Sequence, residues 1–184
     1  MRKAAIRLWV KIRRFPRCER GTSMMEFALV FPLLVVLFLG LVEFGEAFSV
    51  NRRMAYTATT AADLVAQVSS ISNADLADIT LAVDELIKPH SVPPFGMVIS
   101  SVYTDGSGNT KIDWSYATGS GVTAHATGGA FTLPAGLKEN GFSMVVVETK
   151  YVFTPTVGLF LLGSHTMNGV AYARPRLTSK ITKT

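Results

Sequence analysis

Cysteine is nearly absent from this chain: of 184 residues, only Cys18 carries a thiol. No intrachain disulfide can form, so the fold must rest on packing. Histidine is scarce too, and His90, His125 and His165 are scattered, without the i, i+4 pairing or the cysteines of a zinc set. Ser107 and Ser120 sit among glycines, but neither stands in the G-x-S-x-G setting of a serine nucleophile. The Gly-rich stretch 118–129 lacks the Gly-Lys-Ser/Thr ending of a phosphate-binding loop. In "DGSGN", Asp105, Ser107 and Asn109 alternate as calcium ligands would. Thr110 and Tyr116 nevertheless occupy the places of the turn glycine and the bidentate glutamate, which leaves a hairpin turn. The expectation is a protein that is not an enzyme, with no cofactor, no metal and no small-molecule substrate.

Charge is missing from Phe27 to Val42, sixteen residues reading "FALVFPLLVVLFLGLV". As a helix they span roughly 24 Å, a little short of the ~30 Å hydrocarbon core, and the flanking Met24, Met25 and Phe44–Phe48 supply the rest. Pro32 and Gly40 are tolerated in membrane helices. Hydrophobic residues make up 48% of the chain, and its mean hydropathy is +0.32. The net charge of +5 is unevenly placed. Residues 1–21 hold eight Lys/Arg against Glu19 alone, about +7, and the remaining residues come to about −2. The basic pI therefore belongs to the leader and points to no nucleic-acid partner. A basic head before an apolar run puts the N-terminus in the cytoplasm and the rest outside. A cleaved secretory signal fits poorly, because the apolar core is at the long end and "VEFGEAFSVNRR" offers a poor small-x-small site. Cys18 precedes the run and lacks a lipobox-like context.

Glu26 stands just inside the apolar side of this boundary, where a carboxylate is costly unless it lies at the interface or has a partner. A cut after Gly21 would make Thr22 the N-terminus, with Glu26 fifth and Phe27 sixth. The new amine would lie one helical turn from the glutamate, and in a packed assembly Glu26 could neutralise the amine of a neighbouring subunit.

A basic leader, then glycine, then glutamate at the fifth mature position before an apolar helix, resembles a type IV prepilin. Glu26-Phe27, like the Glu-Tyr of Flp pilins, resembles the Tad branch, and "RGTSMMEFALVFPLLVVLFLGLVEFGEAF" is similar to the N-terminal signature of TadE-like pseudopilins. "YVFTPTVGLFLLGSHTMNGVAYARPR" resembles that family's ending. The resemblance covers residues 13–70 and 148–176, and Met24-Met25 depart from it where smaller or β-branched residues are frequent. It implies that Gly21 and Thr22 flank the scissile bond of a prepilin peptidase, with Glu26 and Phe27 as processing and assembly determinants. It also implies partnership with other Tad pilins and pseudopilins and with an inner-membrane assembly platform, in a minor pilin or pseudopilin of a Tad (Flp) pilus. An uncleaved, single-pass, membrane-anchored binding protein is the alternative.

Beyond the apolar run the helix is expected to continue to about Ser70. Met54, Ala58, Ala61, Val65 and Val68 follow four-three-four-three spacing, a stripe suited to helix packing. Two readings stand: a seam between subunits, or the helix covering its own domain. Asn73 is a candidate N-cap for a second helix carrying Leu76, Ile79, Val83 and Leu86 and closed by Pro89. Strands are expected at 97–103, 111–117, 143–153 and 166–173, and 118–142 reads as a long surface loop or irregular excursion. "TPTVGLFLLG" (154–163) is either a core-packed turn or an exposed apolar edge.

The expected organisation is a leader over 1–21, a transmembrane helix over 22–48, a helical extension over 49–70 and an extracytoplasmic α+β domain over 71–184. That pilin-like domain would hold a second helix and an antiparallel sheet of about four strands. The expected location is the bacterial inner membrane, in a single pass.

Overall fold

The computed structural model describes residues 19–155 and 163–184. Residues 1–18 of the leader and 156–162 of the "TPTVGLFLLG" segment lie outside the described residues. The chain divides into two compact units, Met1–Glu43 and Phe44–Thr184.

One helix, α1, runs from Glu19 to Ala66 and passes Pro32 without a break. From Gly21 to Phe38 every residue is exposed, an apolar surface that the other described residues do not cover. Downstream the same helix becomes one-sided. Val50, Met54, Ala58, Ala61 and Val65 are each at most 2% exposed, and they pack on the domain's own sheet and second helix. Alanine at 58, 61 and 62 keeps the helix surface flat and allows close approach. The stripe read from the sequence thus covers its own domain, and Val68 is partly buried at the core margin.

The helix stops at Ala66, earlier than expected, because Ser70–Ile71 (β1) pair in parallel with Thr182–Lys183 (β6) at the C-terminus. Arg176 N–H caps the Ala66 carbonyl at 2.8 Å. The second helix, α2, spans Asn73–Ile87. Its N-cap is Ser72 and not Asn73, because only that frame places an acid at the third helical position. Asp75 N–H donates to Ser72 Oγ at 3.2 Å, and Ser72 N–H donates to Asp75 Oδ2 at 2.8 Å. The Ser72 hydrogen bonds hold the Asp75 carboxyl below its usual range. Leu76, Thr80, Val83 and Ile87 face the core. Ile87, one residue past the expected Leu86, takes the last buried place.

The main sheet joins Phe95–Thr104 (β2), Thr110–Gly119 (β3), Ser143–Phe153 (β4) and His165–Ala173 (β5) in the order β3-β2-β4-β5, all antiparallel. This is the α+β architecture expected from the sequence. Val145, Val147, Tyr151 and Phe153 of β4 alternate onto the helix side, as period-two geometry requires. Val146, on the opposite side, is also fully buried. It joins Val102, Ile112 and Leu133 in a second small cluster, with Phe131 and Met144 at its rim.

That second cluster decides between the two readings of 118–142: the stretch is an irregular excursion, and part of it is packed on the sheet instead of lying free as a surface loop. The excursion folds back along β3: Ile112 N–H donates to Gly129 O at 2.8 Å, Gly128 N–H to Ile112 O at 2.7 Å, and Phe131 N–H to Thr110 O at 3.2 Å. It lays Phe131 and Leu133 over the sheet, so the domain has helices on one face and irregular chain on part of the other.

Candidate functional site

Gly21, Thr22, Glu26 and Phe27 all lie in the first turns of α1, and all are exposed. A Cβ built on Gly21 would meet nothing within 4 Å, and Gly21 and Thr22 are both exposed. The Gly21–Thr22 peptide is also helical, and a peptidase binding extended backbone would have to unwind that turn. Glycine lowers the cost, being about 1 kcal/mol poorer in a helix than alanine. One turn further, Glu26 precedes Phe27, whose ring packs against Phe31 with centroids 5.4 Å apart. Met24 and Met25 are more than three-quarters exposed.

Helix α1 is the one described helix long and apolar enough to cross a membrane. Its most apolar window is only 6% buried, which sets it apart from the core helix of a soluble domain. The exposed apolar side chains need either lipid or other helices around them.

Residues 21–63 match the family model of TadE-like proteins. The matched stretch lies wholly within α1, begins at Gly21 and takes in Glu26-Phe27, the apolar run and the first three residues of the stripe. The sheet domain lies outside it. No curated protein and no solved structure matches the chain.

Outside the TadE-like stretch, Asp105 of the "DGSGN" segment has local partners. Asp105 Oδ1 accepts from the backbone N–H of Ser107 and of Asn109, both at 2.9 Å, and Oδ2 accepts from the Asn109 side chain. The Asn109 backbone bond is the main cause of the lowered pKa of Asp105. This carboxylate therefore serves the β2–β3 hairpin. The three histidines stand apart: His90 faces Ser49 at 3.4 Å, His125 faces Glu148 at 2.5 Å, and His165 opens β5. No group of three or more His, Cys, Asp or Glu converges among the described residues.

Two features escaped sequence reading. His125 and Glu148 are 23 residues apart, and their contact, with Lys150 Nζ donating to Gly121 O at 3.0 Å, ties the excursion to β4. Only the folded path of 118–142 brings them together. The second is a cleft of about 270 Å³ lined by Asp84, Val92, Pro93 and Phe95 and closed by Thr118–Ser120. Asp84 has no ion-pair or hydrogen-bond partner among the described residues, and burial, helped by the neighbouring Glu85, raises its pKa. In the sequence, Asp84 is one of several acids on an amphipathic helix.

Proposed function

We propose that this chain is made as a prepilin-like precursor, anchored in the inner membrane by α1 with its leader in the cytoplasm. A prepilin peptidase cuts it between Gly21 and Thr22. The mature chain then works as a minor pilin or pseudopilin in the assembly of a Tad pilus, beside other pilins and the assembly platform. The observation that carries this reading is the TadE-like match from Gly21 onward, with Glu26 at the fifth position of the cut chain.

The physical arrangement supports it. Exposed helix from Gly21 to Phe38 can reside in lipid before assembly and against neighbouring helices afterwards. Glu26 is exposed at the start of that surface, where an amine from an adjacent chain can reach it without first breaking an internal contact. The leader's cations hold the cleavage site at the cytoplasmic face.

The test is the intact mass of chain extracted from membranes with and without prepilin peptidase activity. A species beginning at Thr22 that depends on the peptidase is the expected result. Full-length chain in both samples would overturn this reading and leave an uncleaved membrane-anchored binding protein.

A further inference from the structure

Most charged groups of the described domain are matched within the chain. Lys88 pairs with Glu85, Arg174 with Glu139, Arg176 with Asp63, and Lys180 with Asp113. Arg53 donates to the carbonyls of Leu86 and Lys88, at 3.3 and 2.7 Å. Asp84 stands out against this background, as a half-buried carboxylate on the apolar wall made by Val92, Pro93 and Phe95. A carboxylate partly withdrawn from water and left without a partner is costly, and a cation on an apolar stem is the group that would relieve it.

Arg52 has the complementary character. It is exposed and has no acidic partner among the described residues. Phe48 and Tyr56, one turn to either side, are 60% and 62% exposed. At 100° per residue these three residues form a stripe on the side of α1 opposite Val50 and Met54, the side that its own domain does not use. The stripe lines an open groove with Gly45, Ser49 and Arg53. It thus presents one guanidinium between two aromatic rings, and the Asp84 cleft presents one carboxylate among apolar walls.

The two features also lie at the same level of the domain. Arg53, next to Arg52, is the residue that grips the carbonyls at the end of α2, and Asp84 is on the last turn of that helix. Two copies set side by side, with their helical stretches from Phe44 to Ala66 parallel, would meet these surfaces without a shift along that helix axis.

We infer that the Asp84 cleft receives Arg52 of a second copy of this chain, with Phe48 and Tyr56 of that copy closing over Val92 and Pro93. The contact is heterologous: each copy offers one cleft and one stripe, so it repeats from copy to copy and does not close as a two-fold dimer. It rests on the membrane-anchored part of the function proposed above and adds the identity of one neighbour and the faces that meet. Lys111 and Lys138 are also exposed cations, but neither belongs to an aromatic stripe.

The test uses the full chain in native membranes, with Cys18→Ser as background. One tagged population carries Arg52→Cys, and a second, differently tagged, carries Asp84→Cys. A short bis-maleimide should give a product bearing both tags when the two are co-produced, and none when either is produced alone. Absence of that product, or capture of an unrelated protein by Asp84→Cys in its place, would overturn the inference. Charge exchange supplies the second arm. Arg52→Asp or Asp84→Arg alone should lower amine-reactive cross-linking of the chain about tenfold, which corresponds to about 1.4 kcal/mol. The double exchange should restore it; failure to restore it would likewise sink the pairing. Retained protease resistance of the domain certifies that each variant is folded. Intact mass on the same samples separates the two claims. Chain starting at Thr22 without cross-link removes the pairing alone, and cross-linked full-length chain removes the processing alone.

Discussion

Trp114 donates its indole N–H to the carbonyl of Ile181 at 2.9 Å, across 67 positions of sequence. That bond joins the edge strand β3 to the last residues of the chain. Around it Ile181 is fully buried, Thr184 N–H donates to Ile71 O at 3.0 Å, and Lys180 pairs with Asp113 at 2.7 Å. The C-terminal tail is therefore part of the core. Ile181→Ala should cost about 2–5 kcal/mol, the range for emptying a packed aliphatic site. Trp114→Phe should cost about 1–3 kcal/mol through the stranded carbonyl. Chemical denaturation of the detergent-solubilised chain measures both. A tail that only decorates the domain would leave the midpoint unchanged.

The close crossing of Gly96 and Gly119 leads to the second expectation. These residues are opposite each other at the end of the β2–β3 ladder. Gly119 has φ of +81°, and a Cβ there would lie 2.3 Å from Phe95 O. Alanine at 119 meets both the left-handed backbone cost of about 1–2 kcal/mol and a backbone clash. Gly119→Ala should therefore destabilise the domain by more than that first figure. Gly106→Ala, in open space without a positive φ, is the matched control and should stay within about 0.5 kcal/mol of the parent. Equal effects at the two positions would contradict the geometry.

Much of this fold was legible because local pattern and tertiary use agree. The apolar run is unbroken over sixteen residues and the alternation of β4 states its period within a dozen; both become the elements that they announce, and Met54, Ala58, Ala61 and Val65 are buried in the domain. The family match likewise rests on a contiguous stretch, residues 21–63. What escaped depends on distant chain. Ser72 caps α2 in place of Asn73 because of Asp75. The helix ends at Ala66 because residues 182–183 claim Ser70–Ile71, and 118–142 is ordered by contacts to Thr110, Ile112 and Val146. The Asp84 cleft needs the β3 end and the 92–95 turn beside α2, a meeting that no spacing rule encodes.

Gly21 and Glu26 should separate in their effects. A side chain with β-branching at 21 places bulk beside the Gly21–Thr22 bond, where a Cβ would meet nothing within 4 Å and the chain itself can accommodate it. Gly21→Val should leave full-length chain in membranes, read by intact mass, while the domain keeps its stability. Glu26→Gln removes the charge and keeps the shape. It should still permit shortening to Thr22 but reduce recovery of the chain in sheared pilus fractions by about tenfold or more, consistent with loss of a desolvated charge pair. Normal assembly of the glutamine variant would remove Glu26 as an assembly determinant.

Asp84 gives the domain a pH dependence whose sign differs from that of Asp75. The Asp75 carboxyl is held low by Ser72, so its contribution is present above the ordinary aspartate range and is lost as pH falls through its lowered pKa. Asp84 is raised by burial and by Glu85. Its charged form is penalised in the fold, so the protein is relatively more stable below the ordinary aspartate range, and that advantage is lost as pH rises through the raised value. Asp84→Asn removes the charge at every pH. Its melting temperature should exceed that of the parent at neutral pH, and the gap should close on acidification below about pH 4, where both chains are neutral at this position. A gap independent of pH would trace to packing or hydrogen bonding of the amide, and the desolvation account of Asp84 would fall. A gap that closes would show that the parent keeps a carboxylate at a cost to its own stability, as expected of a group whose counter-ion comes from another chain.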